Sequence, residues 1–247
     1  MRMICIIPAR YQSTRFPGKP LADICGKPMI QWVHEHCSQV ERFEKVIVAT
    51  DDERIYRFCR ENEIECMMTR NDHPNHISRV KEVSDTIRSD YYVCINGDEP
   101  LLMPETIREA LPSDNDLGSV FFSGAYRTLT DPVETIDGAN IKLALNDRNE
   151  CIYMSRAAVP FPKGSIMFSY YKYVGIEVFS KESLDFFVSA KMGRLEKIED
   201  IDHLRFIENG KILKFRPVSS ESISVDTKND LEKVRSLMKE ALQRKNI

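Results

Sequence analysis

The chain has 247 residues, 42% of them hydrophobic, and sets 35 basic against 38 acidic side chains for a formal charge of -3. That length buries a substantial core, and the near-balanced charge excludes a global pull toward nucleic acid or an anionic membrane, leaving any anion site to local clustering. No apolar run approaches the ~18 residues of a membrane span, Pro8 and Arg10 cut the apolar N-terminus short of signal-peptide length, and the seven cysteines lack a C-x-x-C pair and read as reduced thiols of a cytoplasmic protein.

Met3 to Pro8 is a strand-length apolar run that empties into a loop carrying Arg10, Arg15 and Lys19 around Gly18. Pro28 to Val40 has apolar residues near helical spacing at Ile30, Val33 and Cys37, and Lys45 to Thr50 is the next strand. Asp51-Asp52 opens a helix with Ile55, Phe58 and Cys59 on one face. Glu65 to Thr69 is a third strand, followed by the polar loop Arg70 to His76, a helix from Ser78 to Ile87, and a strand Tyr91 to Ile95 ending at Asn96-Gly97-Asp98-Glu99-Pro100. This alternation predicts βαβ units around a mostly parallel sheet. From about Gly118 the pattern changes: Val120 to Phe122, Ile141 to Leu145 and Lys172 to Phe179 read as strands without regular helices between them. Glu182 to Ala190 and Ile198 to Glu208 read as helices, Ile212 to Phe215 as a strand, and Asn229 to Arg244 as a final helix. No Gly/Ser-rich linker interrupts the chain, so the expectation is an α/β fold forming one domain over residues 1–247, with residues 118–180 as a β-rich arm.

Ligands of open α/β sheets bind beyond the carboxyl ends of the strands. The Arg10, Arg15 and Lys19 loop is therefore a candidate polyphosphate site, although a solvated basic loop has the same composition. It lacks the early glycine and the hydroxyl of G-x-x-x-x-G-K-[ST], so side-chain cations would meet the phosphates. Asp98, at a strand end beside Gly97, suits a hard cation or a turn cap. Asp226, after strand-like Ile223-Ser224-Val225, is a second candidate carboxylate or a helix cap. His73 and His76 lie in a Pro/Asn loop without the ligand spacing of a zinc site.

Ile6-Ile7-Pro8-Ala9-Arg10, Ser13-Thr14-Arg15, Pro17-Gly18-Lys19-Pro20-Leu21 and Gly26-Lys27-Pro28-Met29-Ile30 together resemble the opening of the CMP-Kdo synthetases, the 3-deoxy-manno-octulosonate cytidylyltransferases. The resemblance continues through Val48-Ala49-Thr50-Asp51-Asp52, Met68 to His73, Gly97-Asp98-Glu99-Pro100, Tyr153-Met154-Ser155-Arg156, Val174-Gly175-Ile176 and Val225-Asp226-Thr227. It implies a Rossmann-like nucleotidyltransferase fold whose β-rich arm makes a homodimer. It also implies Mg²⁺-dependent transfer of CMP from CTP to a small acidic sugar of the 3-deoxy-ulosonate type, with release of pyrophosphate, in bacterial surface polysaccharide synthesis. On that resemblance Lys19, Arg15 and Asp98 are catalytic. Ala9, Arg10, Ser13, Arg15, Lys19, Thr69, Arg70, Asp72 and Asp98 meet the nucleotide, and Asp98 and Asp226 hold the metal. Asn96, Lys142, Arg156, Tyr173, Glu177, Asp202 and His203 are the acceptor candidates. A phosphorylated or phosphonate acceptor, or a nucleotide-binding regulator without turnover, are the alternatives.

The chain departs from the family pattern in four places. The loop usually reading x-Ser-Gly-Thr-Glu/Asp-Arg is Pro74-Asn75-His76-Ile77-Ser78-Arg79, and Gln-Gly-Asp-Glu-Pro begins with Asn96. His-Leu/Val-Gly-Ile-Tyr is Tyr173-Val174-Gly175-Ile176-Glu177, and Glu-Gln-Leu-Arg is Asp202-His203-Leu204-Arg205. The changes spare the phosphate and metal positions and fall where the resemblance places the acceptor, which implies altered acceptor recognition. Glu177 would suit an amino group there, and His76 and His203 would supply donors to a carboxylate, phosphate or phosphonate.

Overall fold

The computed structural model describes residues 1–244 apart from Thr14, Leu117, Ile166 and Glu221, so Thr14 of the Ser13-Thr14-Arg15 motif lies outside the described residues. The chain divides into two compact units, Met1–Arg108 with the stretch from Ser220 onward, and Glu109–Ser219.

In the first unit β1 (Met3–Ala9) runs into a single 3-10 turn at Lys19–Leu21 and a two-residue hairpin, β2 (Asp23–Ile24) and β3 (Lys27–Pro28). Then follow α1 (Met29–Ser38), β4 (Phe43–Thr50), α2 (Glu53–Glu61), β5 (Cys66–Met68), α3 (His76–Thr86), β6 (Tyr91–Ile95) and α4 (Pro104–Ala110). β1 pairs in parallel with both β4 and β6, and β4 in parallel with β5, giving the strand order β5-β4-β1-β6. Every residue of β1 except Pro8 is buried, as a strand covered on both faces requires. The helices form where the spacing placed them. Ile30, Val33 and Cys37 line the buried side of α1, and Asp52 caps α2 by accepting the Arg54 N–H while Ile55 and Cys59 turn inward. α3 starts two residues before the predicted position, because the Asn75 side chain accepts the Ser78 N–H at 2.9 Å and caps it.

The second unit carries β7 (Phe122–Thr128), α5 (Pro132–Ile136), β8 (Lys142–Leu145), β9 (Cys151–Ser155), β10 (Tyr171–Ser180), α6 (Lys181–Ser189), α7 (Arg194–Glu199), α8 (Leu204–Glu208) and β11 (Lys214–Pro217). Its pairing is mixed, as expected: β10 is antiparallel to β7 and β8, β8 antiparallel to β9, and β11 parallel to β7. Gly124 of β7 faces Phe215 of β11, where an added Cβ would stand 2.4 Å from the ring. The helix predicted over Ile198 to Glu208 is present only as α8 and the last two residues of α7, which begins four residues earlier; Asp200 takes a left-handed φ of 54° and closes α7 before α8 begins. α4, α5 and β9 were not read from sequence; each is short, and the strand β9 has only Cys151, Met154 and Ser155 buried, too few to show a period.

The chain returns to the first unit with α9 (Lys228–Gln243), whose Leu231, Val234 and Met238 pack with Val225 against Phe16, Ile24, Met29 and Trp32. Among the described residues no helix is long and apolar enough to cross a membrane.

Within the second unit α7 and α8 are joined by a buried ion pair. Arg205 donates to Glu196 through Nε (2.9 Å) and Nη2 (2.6 Å), gives Nη1 to the Phe187 carbonyl at 3.0 Å, and lies 4.0 Å from the Phe187 ring centre. Losing one member strands a buried charge. Arg205→Leu is therefore expected to cost about 3–5 kcal/mol in urea unfolding, and Arg205→Leu with Glu196→Leu to recover most of it.

Candidate active site

β1 hands its chain to the basic loop, and the loop has a defined shape. The Gly18 N–H donates to the Tyr11 carbonyl at 2.8 Å, and Gly18 has a φ of +75°, which glycine adopts without strain. A Cβ there would stand 3.0 Å from the Tyr11 ring. The same ring carries the Arg54 guanidinium 3.3 Å from its centre, and Arg54 is fixed by Asp52 at 2.9 and 2.7 Å. Hydrogen bonding by Arg54 holds the Asp52 carboxyl below its ordinary pKa. The Ser13 hydroxyl accepts the Phe16 N–H at 3.4 Å, and Phe16 is buried in the Trp32 cluster.

Two aspartates far apart in sequence meet this loop. Gly97 brings the end of β6 against β1, where a Cβ would stand 3.1 Å from the Pro8 carbonyl oxygen. The Val225 N–H donates to the Asp98 carbonyl at 2.8 Å, which lays the 225–227 segment beside Asp98. Each residue of Val-Asp-Thr then has its own task. Val225 is fully buried in the core, and Thr227 caps α9 in a reciprocal box with Asp230, leaving Asp226 to face the loop. Lys19 Nζ lies 2.7 Å from Asp98 Oδ2 and 3.6 Å from Asp226 Oδ1, while Arg15 Nη2 lies 3.1 Å from Asp226 Oδ1. Asp98 Oδ1 is buried and has no hydrogen-bond partner among the described residues. The result is two carboxylates, two cations and one unfilled carboxylate oxygen in reach of one another.

The loop after β5 is held from α3. Thr69 donates its hydroxyl to the Thr50 carbonyl at 3.1 Å and accepts from Arg79, a fully buried residue that also pairs with Asp51 at 2.9 Å. Glu82 accepts the Arg70 N–H at 3.1 Å and pairs with His73 Nε2. The Arg70 side chain stays exposed, 3.4 Å from an equally exposed Asp72.

In the second unit Lys142 is fully buried and gives its ammonium to three carbonyls, Asp137 at 2.8 Å, Asn140 at 2.7 Å and Arg156 at 2.5 Å. Burial lowers its pKa from the ordinary lysine value. Arg156 donates through Nε to the Glu199 carbonyl (2.7 Å), through Nη1 to Gly138 (3.1 Å) and through Nη2 to Asp200 (3.0 Å). The Glu199 carboxylate accepts from the Tyr153 and Ser155 hydroxyls and the Arg156 N–H. Burial pushes its pKa up, and these three donors together more than reverse that, leaving it below the usual carboxylate value. Glu177 is completely buried, accepts from the Tyr173 hydroxyl and stands 2.7 Å from His203 Nε2, with Phe122 and Tyr173 against the imidazole ring. A cavity of about 670 Å³ in this unit, lined by residues such as Phe121, Arg148, Lys214 and Arg216, contains none of the predicted site residues.

The sequence profile of the family described as cytidylyltransferase matches residues 4–216. The 3-deoxy-manno-octulosonate cytidylyltransferase of Escherichia coli is 34% identical over 98% of both chains. The chain belongs to the 3-deoxy-manno-octulosonate cytidylyltransferase, or CMP-Kdo synthetase, family. Its fold superposes on a CMP:2-keto-3-deoxy-manno-octonic acid synthetase solved with CTP at a TM-score of 0.92, with 33% identity over 97% of this chain and 99% of that one. The 8-amino-3,8-dideoxy-manno-octulosonate cytidylyltransferase of Shewanella baltica is 31% identical over 94% of this chain and 97% of its own.

For this member of the CMP-Kdo synthetase family the structure brings Arg15, Lys19, Asp98 and Asp226 into one cluster. Ala9 is buried at the end of β1, half-buried Arg10 follows it directly, and half-buried Asn96 follows β6. Asp202 sits in the turn before α8, where its carbonyl accepts the Arg205 N–H. Lys142 has no donor left for an acceptor, since an ammonium has three and each already meets a carbonyl. Its role in the geometry is to tie the 137–140 turn to the end of β9. Tyr11, Arg79 and Glu82 were not among the predicted residues. Arg79 carried a signal, being the one residue retained from the family's altered loop motif; Tyr11 and Glu82 carried none, because stacking and loop anchoring leave no spacing in the sequence.

If Lys142 is a structural tie, Lys142→Met takes the ammonium donor away from three carbonyls at once. It is expected to cost about 1–3 kcal/mol in thermal or urea unfolding, with the KM for the acceptor unchanged in the folded enzyme.

Proposed function

We propose that this protein is a CTP-dependent cytidylyltransferase that transfers CMP to an acidic sugar of the 3-deoxy-octulosonate type and releases pyrophosphate. The observation that carries this reading is the convergence of Lys19 and Arg15 on Asp98 and Asp226, in a chain aligned along nearly its whole length with Kdo cytidylyltransferases. An acceptor hydroxyl oxygen attacks the α-phosphorus of CTP, the bond from that phosphorus to the β-phosphate oxygen breaks in line, and the hydroxyl proton passes to solvent. Lys19, Arg15 and Arg10 neutralise the triphosphate and the charge growing on the departing pyrophosphate, with Ala9 and Ser13 shaping the loop that presents them. Thr69, Arg70 and Asp72 border the nucleotide, their loop held by Arg79 and Glu82.

Asp98 and Asp226 fit Mg²⁺, which takes hard oxygen ligands and commonly binds through one or two carboxylates together with substrate phosphates. The buried, unpartnered Asp98 Oδ1 is an oxygen suited to that use. Held by Asp98 and Asp226, such an ion would supply Lewis acidity toward phosphoryl oxygens and toward a nearby hydroxyl.

The acceptor candidates that remain are Asn96 in the first unit and Tyr173, Glu177, Asp202 and His203 in the second, whereas Arg156 gives its guanidinium to three carbonyls and serves as a clamp. The Glu177 carboxylate is engaged by Tyr173 and His203 inside the unit, which supports a role in setting the Tyr173 and His203 side chains rather than a free salt bridge to an amino sugar. A cytoplasmic location is consistent with seven unbridged cysteines. A homodimer built through residues 118–180 is supported by Ile136, Phe161 and Met167, which are 79%, 84% and 89% exposed in the single chain, unusual for apolar side chains of that size.

The deciding measurement is Mg²⁺-dependent pyrophosphate release from CTP with Kdo, 8-amino-Kdo, sialic acid and phosphonate acids offered in turn. Kdo or its 8-amino analogue is expected to support turnover, and Asp98→Asn to lower kcat at least about a hundredfold while the protein stays folded. Release with phosphonates alone would overturn the sugar assignment, and CTP binding without turnover on any acceptor would favour a regulator. In light scattering the 28.6 kDa chain should run at twice its mass, and Phe161→Glu with Met167→Glu should return it to the monomer without lowering its melting temperature.

A further inference from the structure

In this structure the place between the two aspartates is taken by a side chain. Lys19 Nζ contacts Asp98 at 2.7 Å and Asp226 at 3.6 Å, and its side chain is only 16% exposed; Arg15, 61% exposed, covers Asp226 from outside. Two negative and two positive charges cancel. The Asp98 carboxylate is nevertheless not saturated, because Oδ1 remains buried and unpartnered. We infer that Lys19 is a resident counter-cation that keeps the Asp98 and Asp226 pair closed to a divalent metal until a triphosphate draws the lysine away, so that metal and nucleotide bind as a linked pair. This inference rests on the cytidylyltransferase reading.

The argument is electrostatic. A dication approaching the aspartates while Lys19 is in place meets an ammonium already within contact of both, and like charges at such separations repel strongly where water is partly excluded. A triphosphate arriving alone has the opposite difficulty: it recruits Lys19 and Arg15 and leaves two bare carboxylates facing its own negative charge. Each ligand removes what opposes the other. The side chain is suited to the exchange, since an ammonium on a flexible four-carbon stem is a point charge without fixed bidentate geometry. Its backbone is not free to follow, because the Gly18 to Tyr11 hydrogen bond and the 3-10 turn containing Pro20 hold the loop. By linkage, the factor by which nucleotide tightens metal equals the factor by which metal tightens nucleotide.

The test measures Mn²⁺ binding by the electron paramagnetic resonance signal of the free ion, without turnover. Wild type is titrated alone and with α,β-methylene-CTP, and Lys19→Met is titrated with no nucleotide. After subtracting the Mn²⁺ held by the analogue in a protein-free titration, the analogue is expected to tighten Mn²⁺ binding to wild type by about tenfold or more, and Lys19→Met to bind Mn²⁺ at least about tenfold tighter than wild type in the absence of nucleotide. Lys19→Arg, which keeps the charge, should bind Mn²⁺ as weakly as wild type. The inference is overturned if folded Lys19→Met gains no Mn²⁺ affinity, if Lys19→Arg gains as much as Lys19→Met, or if the analogue leaves Mn²⁺ affinity of wild type unchanged. Should Lys19→Met not fold, Lys19→Gln, which also removes the charge, takes its place in the nucleotide-free titration, and no gain in Mn²⁺ affinity there overturns the inference. A wild type that binds no analogue counts against the cytidylyltransferase reading, whereas the nucleotide-free comparison of wild type with Lys19→Met still tests the lysine.

Discussion

One backbone hydrogen bond, from the Val225 N–H to the Asp98 carbonyl, is the constraint on which the site depends. Without it the two carboxylates would have no reason to share a location, since each repels the other and both would rather be solvated. The cost of holding them together is met by packing: Val225 is buried among Phe16, Ile24, Met29, Trp32 and the apolar face of α9, and each such side chain removed from water contributes about 1.5–3 kcal/mol. The reciprocal Thr227 and Asp230 cap starts α9 immediately after Asp226, so the aspartate can neither join the helix nor retreat from the loop. Core, cap and carboxylate are consecutive residues, and the charge placement follows from the burial of their neighbours.

The second unit shows the same economy with a different result. Lys142, Arg156 and Glu199 look like surface charges available to a ligand, but the two cations donate to backbone carbonyls and the carboxylate is filled by two hydroxyls and one backbone N–H. The turn at 137–140 and the end of α7 present carbonyls that no strand or helix satisfies. One ammonium and one guanidinium supply those donors. The Tyr-Met-Ser-Arg segment of the family is thus, in this chain, a clamp closing β9 onto α7, with Glu199 receiving the Tyr153 and Ser155 hydroxyls on the same carboxylate.

How much of this could be read in the sequence follows from how local each feature is. The parallel half was legible because β1, β4 and β6 are buried and bounded by turns, and because α1 and α2 repeat their apolar residues at helical spacing. The break between α7 and α8 was not, since an aspartate at a φ of 54° leaves the apolar spacing on either side intact and nothing in the composition marks it. The cluster of Arg15, Lys19, Asp98 and Asp226 was legible through motifs at strand ends. Its internal pairing was not, because which cation meets which carboxylate depends on the Val225 hydrogen bond and on Gly97 approaching Pro8. Lys142 was read by its charge alone; its burial depends on three carbonyls supplied by other turns, which no spacing displays.

The shape of the first loop bears on why, in the proposed function, side-chain cations would do the work that backbone amides do in glycine-rich phosphate loops. A loop of glycines can wrap its N–H groups around a phosphate because nothing else organises it. Here the loop is organised from within, by the Gly18 to Tyr11 hydrogen bond, the Arg54 stack on Tyr11, and the Phe16 anchor reached through Ser13. Such a backbone is committed before any ligand arrives, so recognition passes to groups that can still move. Lys19 and Arg15 project from this fixed frame, and in the absence of a ligand the nearest anions to them are Asp98 and Asp226. Two cations from this loop opposite two carboxylates therefore neutralise one another in the structure. On the proposed reading, a triphosphate would exchange partners with the site through these side chains alone.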